Sequence, residues 1–189
     1  YIQNAKNATE RTYQIQKQIT QSGMNPDVTL SLQSINPEVL KAIRRENISL
    51  EAYQDLQHRF QRDGINTYTD FLVGLPGDTY DSFANGVERI IMEGQHNIIK
   101  FYNVYILPNA EMAQADYRQK YGLITAKTPY FEPFFPVNVE IPEWQEMIVG
   151  HQSLPPEDWC RIRVLAWWVE ILYINRKTLQ LPLMLLWKK

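Results

Sequence analysis

Residues 65–78, INTYTDFLVGLPGD, decide the fold class of this 189-residue chain. The first nine of them are rich in β-branched and aromatic side chains, which favour a β-strand. Two glycines and a proline follow immediately, as in a tight turn, and apolar residues then recur at helical spacing at Phe83, Val87 and Ile90. The stretch therefore predicts a strand, a loop and a helix in succession, which is the repeating unit of a parallel α/β fold.

Similar units lie on both sides of this one. Residues 27–33 (DVTLSLQ) and 98–107 (IIKFYNVYIL) also predict strands, and the three strand starts, near Val28, Ile65 and Ile98, are 37 and 33 residues apart. Helix signals fill the remainder, with predicted helices at residues 8–21, 37–47, 50–63, 80–93 and 111–121. This spacing predicts parallel strands with right-handed crossovers. Both an open doubly wound sheet and a (β/α) barrel fit it, and since a barrel takes about 250 residues, three strands amount to about half of one.

The composition changes after residue 126. All five tryptophans lie beyond it, at Trp144, Trp159, Trp167, Trp168 and Trp187. The prolines and acidic residues at 155–158 predict the start of a helix that runs to about residue 174. We therefore predict two parts: residues 1–126 as part of an α/β barrel, and residues 127–189 as a mainly helical C-terminal extension.

Charge and apolar patterning exclude several functional classes. The 19 basic and 21 acidic residues give a net charge of −2, so the chain has no electrostatic footprint for nucleic acid and we expect no such partner. The longest apolar stretches, residues 164–174 and 179–187, are interrupted and shorter than the about 20 residues that span a bilayer, so we expect no membrane partner. The single cysteine, Cys160, excludes an intrachain disulfide and favours a cytoplasmic location. A start at Tyr1 with no signal-peptide pattern predicts a truncated chain.

The candidate binding residues lie where predicted strands end, because parallel α/β folds bind ligands at the carboxyl ends of their strands. Gln33 and Ser34 end the first strand and offer hydrogen-bonding groups, although an ordinary turn would use the same residues. Asp70 lies within an apolar strand, where a buried carboxylate needs a partner, either a ligand or a neighbouring strand end. Gly74 permits a close backbone approach, as any tight turn does. Arg45, at a helix end, is by itself explained by the helix dipole.

Four segments in order resemble the second half of the radical S-adenosylmethionine (SAM) superfamily barrel. They are LSLQS (30–34), NPEVLKAIRREN (36–47), DFLVGLPGDT (70–79) and YILPNAEM (105–112), within residues 27–112. In related oxygen-independent porphyrin oxidases and methylthiotransferases, an Arg lies twelve residues after a strand-end Gln, and an Asp lies twenty-five residues after that Arg. Gln33, Arg45 and Asp70 have that spacing.

The resemblance implies roles for these residues in binding SAM. Arg45 would pair with the methionyl carboxylate, to which a guanidinium presents a planar fork, and Gln33 and Asp70 would bond the ribose hydroxyls. Leu72, on the same face as Asp70, would lie against the adenine. Ser34, Gly74 and Pro108 are further candidates for the cofactor pocket, by position.

The chain also departs from the family. The CxxxCxxC loop that holds the family's [4Fe-4S] cluster is absent, and Cys160 alone cannot ligate a four-iron cluster. We therefore expect the cluster ligands, and the N-terminal half of the barrel, in a longer parent enzyme, with this piece inactive alone.

The style of the motifs and the tryptophan-rich tail most resemble members that carry an N-terminal cobalamin-binding domain, which implies methyl transfer or rearrangement of an unidentified small-molecule substrate. Two alternatives stay open. One is a non-radical α/β barrel enzyme with coincidental spacing, and the other is a non-catalytic interaction module that uses the Trp-rich tail.

Overall fold

The computed structural model describes residues 9–24, 27–93, 98–130 and 143–174. Its helices are α1 (Thr9–Gln21), α2 (Pro37–Ala42), α3 (Leu50–Arg62), α4 (Tyr80–Met92), α5 (Ala115–Tyr121) and α6 (Pro156–Val169). Its strands are β1 (Val28–Thr29), β2 (Thr67–Val73), β3 (Ile98–Asn103), β4 (Tyr105–Ile106), β5 (Ile124–Pro129) and β6 (Trp144–Gly150). A 3₁₀ turn occupies Glu111–Ala113, and a π-helical turn, Glu170–Ile174, continues α6.

The first sheet is parallel, in the order β1-β2-β3, as the strand spacing predicts. Its connecting helices begin at the residues that the sequence indicates. The Asn36 side chain accepts a hydrogen bond from the backbone N–H of Glu38 at 2.9 Å, and Ser49 caps α3 in the same way. Thr79 and Ser82 form a reciprocal capping box at the start of α4. These caps satisfy helix N–H groups that have no partner within the helix, and so fix where each crossover begins.

The two faces of this sheet differ in burial. Phe71 and Val73 of β2 and Ile99 of β3 point towards the helices and are at most 1 % exposed. On the opposite face Tyr68 is buried, whereas Asp70 and Leu72 are partly exposed and Tyr102 is 46 % exposed. A strand of a closed barrel turns one face to its outer helices and the other to the barrel interior. The described sheet has this character and corresponds to a segment of a barrel.

A second, antiparallel sheet in the order β4-β6-β5 was not predicted. The single strand predicted at residues 98–107 is wrong in one respect, because it divides at Val104. The Val104 N–H donates to the carbonyl of Val73 in the first sheet, and its carbonyl accepts from Ile148 in the second. Strand β5 lies across residues 126 and 127, at the predicted domain boundary.

Two other predicted elements are shorter than expected. The helix predicted at residues 37–47 ends at Ala42, because Arg44 adopts a left-handed conformation with φ 51°. The strand predicted at residues 27–33 is regular only over Val28–Thr29, for a reason that concerns the site. The predicted helix starting at residue 155 is confirmed as α6. Ala8 and Gly94, predicted near the ends of α1 and α4, lie outside the described residues.

None of the helices in these four ranges is both long and apolar enough to cross a membrane.

Candidate functional site

A cleft of about 600 Å³ opens at the carboxyl ends of β1 and β2. Its walls come from the end of α2, the loop after β2, the segment around β4 and the start of α5, and they combine a mainly apolar floor with charged side chains. The lining includes Gln33, Arg44, Arg45, Leu72, Leu75, Glu111 and Tyr117. A volume of this size is typical of a pocket for a small molecule.

Gln33 reaches this cleft through an irregularity in β1. Thr29 pairs with Tyr68, whereas Gln33 pairs with Phe71, so β1 contains one residue more than β2 between these two points. Gln33 itself takes a left-handed conformation, φ 61°, which is uncommon for a residue with a side chain. An inserted residue of this kind is a β-bulge, and bulges redirect side chains next to binding sites. The bulge ends the regular pairing of β1 early and places the Gln33 side chain in the cleft.

Arg45 lies beside Gln33 and is held by two hydrogen bonds. Its Nε donates to Oδ1 of Asn47 at 2.8 Å, and its Nη2 donates to the carbonyl oxygen of Ser31 at 2.7 Å. Within the described chain, Nη1 has no hydrogen-bond partner. Burial lowers the pKa of Arg45, although the nearby Asp70 opposes this shift. The guanidinium is thus fixed in orientation, and one end remains available to an anion.

Asp70 lies one pleat below Leu72 on the same face of β2. Its backbone carbonyl accepts a hydrogen bond from the Gln33 N–H at 2.8 Å, which brings the two residues together. Its side-chain Oδ1 is buried and has no hydrogen-bond partner among the described residues. Burial raises the pKa of Asp70, while Lys100, Arg45 and Ser31 lower it, in that order. An unpartnered buried carboxylate oxygen beside a cleft is well suited to accept a hydrogen bond from a ligand hydroxyl.

The structure therefore brings Gln33, Arg45 and Asp70 close together. Gln33, Arg45 and Leu72 line the cleft, whereas Asp70, in the middle of β2, lies next to these residues and outside the lining. Three other predicted site residues are placed differently. Ser34 is 4 % exposed and outside the cleft lining, and its hydroxyl accepts from the Asn36 N–H at 3.1 Å. Gly74 faces β6 and α6 rather than the cleft. Pro108 is exposed in the turn that precedes the 3₁₀ turn.

Asn47 supports the site and was missed, because its sequence position indicated only a helix end. Its Nδ2 donates to the carbonyls of Leu32 and Ser34, at 2.9 and 2.8 Å, while its Oδ1 accepts from Arg45. One amide thus ties the bulged end of β1 to the Arg45 guanidinium. A side chain that bonds to a distant backbone has no local signature in sequence.

Asn47→Ala is expected to lower the free energy of unfolding by about 2 kcal/mol, because two partly buried carbonyls and the Arg45 Nε would lose their partner. Chemical denaturation measures the change. Asn66→Ala is the matched control, since Asn66 is exposed and makes no side-chain hydrogen bond within the described ranges, and it should change stability by less than about 0.5 kcal/mol. Equal effects of the two substitutions would contradict the supporting role of Asn47.

Charged and aromatic residues at the mouth of the cleft were also missed. Arg44, 77 % exposed, forms a 2.7 Å ion pair with Glu111 from the facing wall. The Tyr117 hydroxyl donates to the carbonyl of Ala42 at 3.0 Å, and burial raises the pKa of Tyr117 to about 12. These contacts tie the end of α2 to the 3₁₀ turn and α5, and so give the cleft its outer wall.

The described residues include no set of side chains that could bind a metal cluster. In the part of the chain that the structure describes, no group of three or more His, Cys, Asp or Glu side chains could hold a metal ion. Cys160 is the only cysteine of the sequence and lies exposed on α6.

Two curated proteins are similar to the chain. It is 36 % identical over 157 residues to the cobalamin-dependent radical SAM methyltransferase TokK of Streptomyces tokunonensis. It is 34 % identical, again over 157 residues, to the 2-(S-pantetheinyl)-carbapenam-3-carboxylate methyltransferase of Streptantibioticus cattleyicolor. Each match covers 82 % of this chain and 23 % of the relative, so the chain spans about a quarter of the length of these proteins.

The fold has a solved counterpart. The radical S-adenosylmethionine methyltransferase TsrM from Kitasatospora setae, solved with tryptophan substrate and a SAM analogue bound, matches 80 % of this chain and 33 % of its own, with a TM-score of 0.53 and 16 % identity. This likeness supports the partial-barrel fold. No protein-family model matches the chain.

Proposed function

Because the chain belongs to the radical SAM superfamily, as its methyltransferase homologues show, we propose that it forms the C-terminal half of the catalytic barrel of a cobalamin-dependent radical SAM methyltransferase, in which its cleft binds SAM. The observation that carries this proposal is the proximity of Gln33, Arg45 and Asp70, two of which line the cleft. The Gln33 amide, the Arg45 cation and the apolar Leu72 line the cleft, and the Asp70 carboxylate lies behind this lining, so together they match the parts of a zwitterionic nucleoside.

Each residue has a chemical task in this proposal. The Nη1 end of Arg45 receives the methionyl carboxylate, while Asn47 and the Ser31 carbonyl keep the guanidinium plane fixed. The Gln33 amide and the unpartnered Oδ1 of Asp70 bond the two ribose hydroxyls. Leu72 lies against the adenine. Ser34, Gly74 and Pro108 act indirectly, since they shape the loops around the cleft.

We assign the binding of the iron–sulfur cluster and of cobalamin to other residues of the whole enzyme. A single cysteine does not fit a [4Fe-4S] cluster, so we place the cluster ligands and the cobalamin-binding segment elsewhere in the whole enzyme. The remaining half of the barrel is then the partner of this segment. We further propose that the substrate is a small molecule. We also propose a cytoplasmic location, because an iron–sulfur enzyme and a lone thiol both suit a reducing compartment.

The isolated 189-residue chain is expected to take up no stoichiometric iron after anaerobic reconstitution and to be inactive. Iron analysis and the visible absorption spectrum check this, with the whole enzyme as the positive control. One cluster bound per isolated chain would contradict the assignment of the ligands to another segment.

The cleft assignment is tested by the affinity for SAM of the reconstituted whole enzyme, measured by calorimetry. Arg45→Ala is expected to weaken binding by about 1.5–3 kcal/mol, which is roughly tenfold to a hundredfold, because a charge-assisted hydrogen bond is lost. Arg45→Lys should retain part of the affinity, since it keeps the charge but not the planar fork.

Arg89→Ala is the matched control. Arg89 is an exposed arginine of α4 that pairs with Glu93, the residue that follows the helix, and it lies outside the cleft lining. Its removal should leave SAM affinity unchanged. Equal affinities of the Arg45→Ala and Arg89→Ala variants, with both folded by circular dichroism, would remove SAM from this cleft.

A further inference from the structure

A lysine lies beside Asp70 on the face of the sheet that points away from the helices. Lys100 of β3 is the direct register partner of Asp70 of β2, so both side chains leave the sheet on the same side in neighbouring strands. Neighbouring strands lie about 4.8 Å apart, so the two side chains begin close to each other. Lys100 was not among the residues that the sequence indicated.

The Lys100 ammonium is held without a carboxylate contact. It lies 3.8 Å from the ring centroid of Tyr68, which is one pleat nearer the start of β2 than Asp70. Within the described ranges, Lys100 forms no ion pair, and neither does Asp70. The aromatic face favours the cation electrostatically, and no salt bridge occupies the carboxylate oxygens within the described ranges.

The surroundings of Asp70 contain few other charges. Arg45 faces it from the segment after α2, Lys100 from β3, and the Ser31 hydroxyl from the segment after β1. Lys100 stabilises the ionised form of Asp70 more than Arg45 does, and the Arg45 guanidinium is already engaged by Asn47 and Ser31. Burial acts in the opposite direction, since it favours the neutral acid. A neutral Asp70 would have one oxygen occupied by a proton and would be a poorer acceptor.

We propose that Lys100 is a positioning residue of this site, which acts from the neighbouring strand to keep Asp70 ionised with an oxygen free for a ligand hydroxyl. Tyr68 contributes by holding the ammonium at a distance that stabilises the carboxylate without bonding to it. The role in ligand binding rests on the proposed function of the cleft. The electrostatic coupling between Lys100 and Asp70 does not depend on that proposed function.

The experiment compares wild type, Lys100→Met and Lys100→Arg. In the whole enzyme, SAM affinity is measured by calorimetry between pH 4.5 and 8. The acid limb of the binding profile is expected to move to higher pH by about one unit in Lys100→Met and to return in Lys100→Arg, because an opposite charge at this range shifts a carboxyl pKa by roughly that amount. A loss of packing alone would lower affinity at every pH and leave the midpoint in place.

A second measurement follows Asp70 directly. Carbon-13 spectra of the chain labelled at the aspartate carboxyl carbons give its titration, with the resonance assigned from Asp70→Asn. Lys100→Met should raise the pKa of Asp70 by about one unit, and Lys100→Arg should restore it. An Asp70 titration that is unchanged in Lys100→Met overturns the proposal. A pH-independent loss of affinity also overturns it, because Lys100 would then act through packing or as a direct ligand contact. Absence of SAM binding in the wild-type enzyme, with the Asp70 titration still moving, would refute the proposed function and leave the coupling established.

Discussion

Phe71→Ala is expected to lower the free energy of unfolding by about 3–5 kcal/mol, among the largest effects of a single substitution in this chain. Phe71 lies on the helix-facing side of β2 and is 1 % exposed. Its ring contacts those of Phe83 in α4 and Phe101 in β3, with centroids 5.9 and 6.2 Å apart. Truncation would leave a cavity between the sheet and α4, because the two remaining rings are fixed on a helix and a strand and cannot move to fill it.

Tyr102→Ala is the control for this prediction. Tyr102 lies on the neighbouring strand but on the opposite face, and it is 46 % exposed. Its truncation should cost less than about 1.5 kcal/mol, because less than a full side chain is withdrawn from water. Urea denaturation of both variants measures the difference. A cost for Tyr102→Ala that matches or exceeds that for Phe71→Ala would show that the core does not lie between the sheet and the helices.

This contrast between faces explains which parts of the fold could be predicted. Strand β2 and helix α4 are specified locally, by β-branched and aromatic residues, by the Thr79 cap and by apolar positions at helical spacing. Such signals need no information about distant residues. The parallel order of β1, β2 and β3 follows from the helices between them, since each crossover returns the chain to the same end of the sheet.

The second sheet could not be predicted from local sequence signals. Nothing in residues 98–107 marks Val104 as the place where the chain leaves one sheet, because the division depends on hydrogen bonds to Val73 and Ile148. Strand β5 pairs antiparallel with β6, whose first residue, Trp144, pairs with Pro129. Pairing between segments that are far apart in sequence is decided by tertiary contacts and not by propensity.

The candidate site was predictable in its principal residues and not in its geometry. The spacing of Gln33, Arg45 and Asp70 resembles that of a family, and the structure brings the three together. The bulge that turns Gln33 into the cleft has no signature in residues 27–33, since the extra residue is defined only against β2. Asn47 and Lys100 were missed for the same reason, because each acts on a residue that only the fold brings near.

Gly74→Ala is expected to lower the free energy of unfolding by about 2–4 kcal/mol and to weaken the attachment of the C-terminal extension. Gly74 has φ +98°, a conformation that L side chains rarely adopt. A Cβ there would also lie 3.2 Å from the carbonyl oxygen of Ile148 in β6 and 3.4 Å from the Trp159 ring in α6. The backbone oxygen cannot move without disturbing β6, so conformational strain and steric overlap add together.

Gly64→Ala separates these two contributions. Gly64 has φ +69°, and an added Cβ would meet nothing within 4 Å, so its substitution carries the conformational cost alone, about 1 kcal/mol. The excess destabilisation of Gly74→Ala over Gly64→Ala therefore measures how tightly β6 and α6 are packed on the end of β2. Because Leu75, the next residue, lines the cleft, the same displacement should also lower SAM affinity in the whole enzyme, which Gly64→Ala should not do. Equal stability of the two variants would mean that the extension does not pack against this loop in solution.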